Sequence, residues 1–229
     1  MHFTRTTVAA FSALAVLIAP AATAHAVPAA DRTIADPGDT VTLPVRDALK
    51  SLLIRDESRT GYERSKFRHW TDADRDGCNA RMEVLLEEAV NAPEQGLNCT
   101  LTGGLWYSAY DDAYFDSARK LDVDHLVPLA EAWDSGASGW NTKEREAYAN
   151  DLHDTRALIA VSAGSNRSKS DQDPSTWVPP YEGYRCRYVS DWVADKTRYR
   201  LAVDPSEEAA LSEMLTRCPN EPITVTLAR

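Results

Sequence analysis

Three side chains in this sequence combine the types that phosphodiester hydrolysis requires: Asp124 and His125 stand next to each other, and Asn166 follows a later apolar segment. Hydrolysis of a phosphodiester needs a base that activates water and a cation that stabilises the developing charge. An imidazole with a pKa near neutrality suits the base, and carboxylate and amide oxygens suit Mg²⁺. The three residues therefore predict a metal-assisted hydrolytic site if the fold brings Asn166 back to Asp124 and His125.

Two short segments must position these residues. Residues 121–129 and 156–163 are rich in Val, Ile and Leu and are bounded by polar residues, which predicts two paired strands. Neighbouring residues on a regular strand point to opposite faces, so Asp124 and His125 can share one site only if the strand bends or ends there. Pro128 favours such an irregularity. The polar segment after the second strand begins like a short capped helix, and the predicted order is strand, helical insertion, strand, short helix.

Further helices are predicted around this core. Apolar residues recur at helical spacing in two segments, namely Val45, Ala48, Leu49, Leu52 and Leu53, and Met82, Leu85, Leu86, Ala89 and Val90. Capping boxes begin two more helices, at Asn141 with Glu144 and at Asp204-Pro205 with Glu207. Their presence predicts a mixed α+β fold that is largely helical.

The first 26 residues have the order of a cleavable secretory signal: a basic start, a mostly apolar run broken by Pro20, and the small residues Ala24-His25-Ala26. The alternative is a membrane anchor, which needs about 20 predominantly apolar residues, and Pro20 argues against it. Residues 27–44 are rich in Pro, Asp, Thr and Gly, so we expect an extended or disordered lead-in. Residues 45–229 suffice for one domain. We expect a secreted monomer without membrane contact after signal removal.

Four cysteines lie beyond the predicted signal: Cys78, Cys99, Cys186 and Cys218. An even number in an exported chain indicates disulfides, and four cysteines allow three pairings among which the sequence does not choose. We expect Cys78 with Cys99 and Cys186 with Cys218, because each pair brackets a helical pattern and closes a modest loop. A zinc site is the alternative, but there is no C-x-x-C spacing and no nearby histidine.

The net charge of −10 limits how the chain can approach a polyanion. Nucleic acids bind largely through Lys and Arg contacts to phosphates, so an acidic protein needs local basic patches. The candidates are Arg55, Arg59, Arg64, Lys66 and Arg68, then Arg167 and Lys169, then Arg185, Arg187, Arg198 and Arg200. The simplest expectation for each of these basic runs is a solvent-exposed surface without a binding role. We therefore expect the protein to bind nucleic acid weakly and in a salt-dependent way.

The segments DVDHLVPLAEAW and AVSAGSNRSKSDQDP together resemble the two halves of an HNH (His-Me finger, ββα-metal) active site. They are similar to those of secreted bacterial HNH proteins and of the C-terminal nuclease domain of modification-dependent restriction endonucleases, and more distantly to the HNH domain of CRISPR effector nucleases. The resemblance implies a ββα-metal core at about residues 121–180 and an endonuclease that acts on nucleic acid. We favour DNA over RNA as the substrate, although the sequence does not itself reveal this preference.

The resemblance also implies a role for each site residue. It implies metal ligands at Asp124 and Asn166, a general base at His125, and phosphate contacts from Arg167 or Lys169, with Mg²⁺ or alternatively Mn²⁺ as the ion. The central Asn of the HNH pattern has no clear match, and the nearest candidates are His153, Asp154 and Thr155. A carboxylate such as Asp154 could instead orient His125, because the hydrogen-bond partner of an imidazole sets its tautomer.

A second pattern suggests another cation. Asp72, Asp74, Asp76, Gly77 and Glu83 match the D-x-D-x-D-G-x₅-E calcium loop. Against Ca²⁺ stand Cys78 at the seventh position and Asn79 at the eighth, and the alternative is an acidic turn that caps a helix.

Two other function classes remain open. The chain could be a secreted, disulfide-stapled binding or structural module that has lost activity, with or without calcium. A serine hydrolase is disfavoured because no G-x-S-x-G motif is present. The aromatic residues Trp106, Tyr107, Tyr110 and Tyr114 could stack on bases, but core positions are the simpler expectation.

Overall fold

The polypeptide pairs its strands mainly as short antiparallel ribbons, with helices packed around them, in a computed structural model that describes residues 1–3 and 35–229. The predicted signal peptide, apart from residues 1–3, and residues 27–34 of the predicted lead-in lie outside the described residues. The α-helices are α1 (Val45–Ser51), α2 (Ala80–Glu87), α3 (Leu129–Asp134), α4 (Thr142–Ala149), α5 (Ala163–Lys169), α6 (Glu182–Tyr199) and α7 (Pro205–Thr216). The strands are β1 (Thr40–Pro44), β2 (Ala89–Asn91), β3 (Glu94–Gln95), β4 (Leu101–Thr102), β5 (Leu105–Ser108), β6 (Ala113–Phe115), β7 (Leu121–His125), β8 (Leu158–Ser162) and β9 (Pro222–Thr226).

The ribbon of β7 and β8 carries the predicted site. The two strands pair antiparallel, with Leu121 opposite Ser162 and His125 opposite Leu158. One face of the ribbon packs on α2 and Trp106 through the apolar side chains of Leu121, Val123, Leu158 and Ala160. The Ser162 side chain accepts a hydrogen bond from the Ser165 amide and begins α5 directly after β8. The two predicted strands and the helix after them are therefore present in the expected order.

The main core is centred on α6, which packs against α1, α7 and β9. Its buried aromatic residues Tyr188 and Trp192 belong to the largest apolar cluster. The same helix also buries charge: the Lys196 ammonium group contacts Glu131 Oε1 at 2.7 Å and Glu207 Oε2 at 2.5 Å. A buried charge is tolerated when it is paired and hydrogen-bonded, and this network joins α3, α6 and α7.

The capping boxes predicted from sequence are present. Asn141 and Glu144 exchange the expected hydrogen bonds at the start of α4, and Asp204 and Glu207 do so at the start of α7. Each cap satisfies amide groups that a first helical turn leaves without partners.

The first and last strands of the described chain pair with each other. β1 runs antiparallel to β9, with Thr40 opposite Thr226 and Pro44 opposite Pro222. Residues 35–44, predicted as the end of an extended or disordered lead-in, thus lie within the compact unit that begins at Ala35. The alternation of Val41 and Leu43 with polar residues was compatible with a strand, but its partner lies at the other end of the chain.

The cysteines form the two disulfides expected, Cys78–Cys99 and Cys186–Cys218, and the mixed α+β fold class is confirmed. Within residues 1–3 and 35–229, none of the helices combines the length and the apolar character that a membrane crossing requires.

Candidate active site

A cavity of about 330 Å³ lies where the end of β7 faces the start of α3 and the second half of α5. All three residues predicted to do chemistry line it, namely Asp124, His125 and Asn166, together with Arg167. Tyr62 and Arg64, which belong to the segment before α2, also line it. The fold therefore gathers the predicted residues around one space open to solvent.

The carboxylate of Asp124 is buried at the base of this cavity. The Lys169 ammonium group contacts both of its oxygens, at 2.9 Å from Oδ1 and 2.8 Å from Oδ2, and the Tyr110 hydroxyl donates to Oδ2 at 2.7 Å. Burial raises the pKa of Asp124 and lowers the pKa of Lys169, and the contact between the two groups opposes both shifts. These contacts fix the position of the Asp124 carboxylate, and the positive charge of Lys169 compensates its negative charge.

Asn166 lies in α5, on the side of the cavity next to β7. Its amide nitrogen donates to Asp122 Oδ2 at 3.3 Å, which leaves the amide oxygen as the atom able to bind a cation. An ionised carboxylate has about four lone-pair positions, and the contacts from Lys169 and Tyr110 occupy three of those of Asp124. One carboxylate position and one amide oxygen therefore remain, and both are hard donors of the kind Mg²⁺ prefers. This donor set fits a divalent cation that retains several waters.

His125 is held by a backbone group. Its Nε2 atom donates to the Ala149 carbonyl at 3.0 Å, so Nε2 carries the proton and Nδ1 keeps the free lone pair. Trp70 packs against the imidazole with ring centroids 5.1 Å apart. Asp154, suggested from the sequence as a carboxylate that could orient His125, instead pairs with Arg156 at 2.6 Å, and the Ala149 carbonyl has the orienting role.

The protonation of His125 also differs from expectation. Burial lowers the pKa of His125 to about 3, and the hydrogen bond to Ala149 only partly opposes this effect. Desolvation disfavours the imidazolium form, whereas the sequence alone suggested a pKa near neutrality. The imidazole is therefore neutral at pH 7, which is the form that can accept a proton.

The two residues predicted to contact phosphate occupy different environments. The Arg167 side chain is 76% exposed and lies 3.5 Å from Asp122 at the edge of the cavity. The Lys169 side chain is completely buried, and its ammonium group is engaged by Asp124 and by the His125 carbonyl at 3.1 Å. Only Arg167 of the pair is thus available to a phosphate in this structure.

Several of the other basic candidates are already paired with carboxylates. Arg59 contacts Asp134 at 2.6 Å and Asp171 at 2.5 Å, and Arg198 is buried against Asp151 at 2.8 Å. Arg64 is exposed and faces the cavity. Fewer basic side chains near the cavity are therefore free to contact a phosphate than the sequence suggested.

The supporting residues were not predicted as part of the site. Tyr110 lies in the core, as expected. Its hydrogen bond to Asp124, however, could not be predicted from the sequence. The Ala149 carbonyl has no side-chain signature at all. Trp70 adopts a φ of 58°, which is uncommon for an aromatic residue, and only the fold reveals its contact with His125.

The remaining predicted residues lie elsewhere. The side chains proposed for calcium lie outside the cavity, in the loop of residues 72–79 and the first turn of α2. Trp106 and Tyr110 are buried core residues, whereas Tyr114 is 63% exposed.

Comparison with known proteins agrees with the resemblance seen in the sequence. The chain is 41% identical over 171 residues to a protein of Arthroderma benhamiae named "Uncharacterized secreted protein", and the match covers 74% of this chain and 82% of that protein. No solved structure matches the chain. The family model described as "GmrSD restriction endonucleases, C-terminal domain" matches residues 63–214, a range that includes the whole β7, β8 and α5 region. The chain therefore belongs to the family of GmrSD restriction endonuclease C-terminal domains, a relationship that indicates a nuclease-type function.

Proposed function

We propose that the protein is a secreted, metal-dependent endonuclease of the HNH type that hydrolyses phosphodiester bonds in DNA in preference to RNA. The observation that carries the proposal is the common cavity of Asp124, His125 and Asn166, with an exposed arginine at its edge. The preference for DNA follows from the family, whose name refers to restriction endonucleases.

His125 is the general base in this proposal. With Nε2 donating to the Ala149 carbonyl, Nδ1 is the atom that accepts a proton from the attacking water. A phosphodiester in the cavity brings negative charge close to the imidazole, and this charge raises the low pKa that burial imposes. Trp70 limits rotation of the ring by packing on it.

Asp124 and Asn166 are the residues that would hold the divalent ion, Mg²⁺ or Mn²⁺. When bound, such an ion stabilises negative charge on the phosphate and on the leaving oxygen. Lys169 and Tyr110 keep the Asp124 carboxylate in one orientation, and Arg167 binds a phosphate oxygen at the edge of the cavity.

The proposed location is extracellular. The leader sequence has the order of a secretory signal, the two disulfides suit an oxidising compartment, and the Arthroderma relative carries the word "secreted" in its name.

Nicking of supercoiled plasmid tests the proposal directly. The wild-type protein should nick DNA with Mg²⁺ or Mn²⁺ and should not with EDTA. His125→Ala should lower the rate by roughly 10²–10⁴-fold, the usual contribution of general acid–base catalysis. His153→Ala is the matched control, because His153 is exposed and lies outside the cavity.

Three results would contradict the proposal. Undiminished nicking by a folded His125→Ala protein would exclude His125 as the base, and undiminished nicking in EDTA would exclude the metal. A wild-type protein that cleaves neither plasmid, linear DNA nor RNA would instead favour an inactive binding module.

A further inference from the structure

A separate group of carboxylates lies in the loop before α2. Asp72, Asp74 and Asp76 are exposed, and each contributes an oxygen that lies within 4.8 Å of the oxygens from the other two. Like charges at this distance repel each other. A cation among them would remove that repulsion, although three exposed acids alone do not establish a site.

Glu83 supplies the independent indication of a ligand. It lies in the first turn of α2, and one of its carboxylate oxygens is within 4.8 Å of an Asp76 oxygen. Its Oε1 atom is shielded from solvent and has no hydrogen-bond partner within residues 1–3 and 35–229. Buried polar atoms in native proteins almost always have a partner, so this oxygen indicates a missing one.

The electrostatics of Glu83 agree with this arrangement. Burial, followed by the charges of Asp76, Asp74 and Asp72, raises the pKa of Glu83. Asp76 belongs to both groups of neighbouring ligand atoms, one with Asp72 and Asp74 and one with Cys78 and Glu83, and thereby connects the Glu83 carboxylate to the loop.

The order of the residues along the loop matches a calcium-binding segment. Carboxylates occupy its first, third, fifth and twelfth positions, and the sixth is Gly77, whose φ of 97° is readily adopted by glycine. The seventh position of such loops supplies a backbone carbonyl, so the Cys78 side chain is free to form its disulfide with Cys99. The Asn79 side chain accepts a hydrogen bond from the Met82 amide and caps α2. Both departures noted from sequence are thereby explained.

We propose that residues 72–83 bind one Ca²⁺ ion through the carboxylates of Asp72, Asp74, Asp76 and Glu83 and the carbonyl of Cys78. Ca²⁺ accepts six to eight oxygen ligands in flexible geometry, whereas Mg²⁺ requires a near-ideal octahedron and retains more of its waters. Extracellular calcium modules have Kd values of about 10⁻⁴–10⁻³ M, and we expect this range. The site shares no residue with the cavity of the proposed active site and is independent of its function.

Titration of the full-length secreted chain with CaCl₂, followed by calorimetry and thermal unfolding, tests the site. The wild-type protein should bind one Ca²⁺ at the loop and gain several degrees in Tm, with a weaker response to MgCl₂. Asp74→Asn and Glu83→Gln preserve side-chain size and should lower the Ca²⁺ affinity at least tenfold. Glu208→Gln is the matched control, because Glu208 lies in the first turn of α7 with similar partial exposure.

The Asn166→Ala variant separates this site from the cavity and should titrate like the wild-type protein. The proposal is overturned if the wild-type protein shows neither heat nor a Tm change up to about 10 mM Ca²⁺, well above the weakest Kd expected. It is also overturned if Asp74→Asn and Glu83→Gln, both folded by circular dichroism, bind Ca²⁺ as tightly as the wild-type protein. Loss of binding in Asn166→Ala would assign the ion to the cavity instead.

Discussion

The ammonium group of Lys169 lies beneath Asp124 and contacts both carboxylate oxygens, at 2.9 and 2.8 Å, with both side chains almost completely buried. A surface pair in the same chain, Lys120 with Asp116, has the same shortest distance of 2.8 Å but is well exposed. The two pairs share this shortest distance and differ strongly in burial, so a comparison of the two shows how much burial adds to the effect of losing the lysine.

Lys169→Met should destabilise the protein by about 3–5 kcal/mol, because it leaves the Asp124 carboxylate buried without its cation. Lys120→Met should change the free energy of unfolding little, since water and salt screen the surface pair. Urea denaturation of both variants provides the measurement. Equal effects from the two substitutions would mean that Lys169 does not support Asp124 in this way.

Arg167→Ala should weaken nucleic acid binding with little loss of stability, because the side chain is 76% exposed at the edge of the cavity. If Arg167 contacts one phosphate, the slope of log K against log salt should fall by about 1. Binding is measured in the His125→Ala background, where cleavage does not interfere. Arg217→Ala, at a side chain that is 77% exposed, is the control, and an identical salt slope in both variants would remove Arg167 from the interface.

Asp195 should make stability depend on pH. Its carboxyl group is completely buried, and burial, followed by the nearby Asp151 and Asp154, raises its pKa to about 8. The unfolded chain releases this proton near pH 4, so the folded state binds more protons between about pH 4 and 8. Stability should therefore fall as the pH rises through that window, by up to about 1.4 kcal/mol per pH unit for one proton.

Asp195→Asn should remove the contribution of Asp195 to this slope. The free energy of unfolding of the variant should therefore rise relative to that of the wild-type protein from pH 5 to 8. Burial also raises the pKa values of Glu88 and Glu207 to about 7, so part of the pH dependence should remain in the variant. Chemical denaturation at several pH values measures the difference. Parallel stability curves for the two proteins would show that Asp195 is ionised in the fold.

Replacing Cys186 and Cys218 together with Ser should destabilise the protein by roughly 3–4 kcal/mol, the chain-entropy expectation for a loop of this length. The bond closes a separation of 32 residues and joins α6 to the end of α7. Thermal unfolding of the double variant, compared with the oxidised wild-type protein, tests the estimate. A change below about 1 kcal/mol would indicate that packing of the helices already holds the two segments together.

The features predicted well from sequence depend on local signals. Asn141 with Glu144 and Asp204 with Glu207 begin helices through contacts within one turn. The strands β7 and β8 are short apolar runs with clear polar boundaries. Asp124, His125 and Asn166 share a cavity because these two strands pair and α5 follows at once.

The features that the sequence did not reveal depend on distant partners. Lys169 stands among polar residues and resembles a surface lysine, and its burial follows only from the positions of Asp124 and Tyr110. The length of α6 could not be predicted from apolar spacing, because buried charged residues such as Asp195 and Lys196 interrupt its apolar face. The carbonyl that orients His125 belongs to the backbone of Ala149 and has no sequence signature.

Because β1 and β9 are neighbours, the two ends of residues 35–229 lie side by side, and the Gly38 amide donates to the Leu227 carbonyl at 2.8 Å. A short flexible linker could therefore join them, and new termini could be opened at the exposed turn around Gly103. Such a circular permutant would keep all contacts of the cavity. Conversely, a truncation that removes β9 would leave β1 with an unpaired edge that invites aggregation.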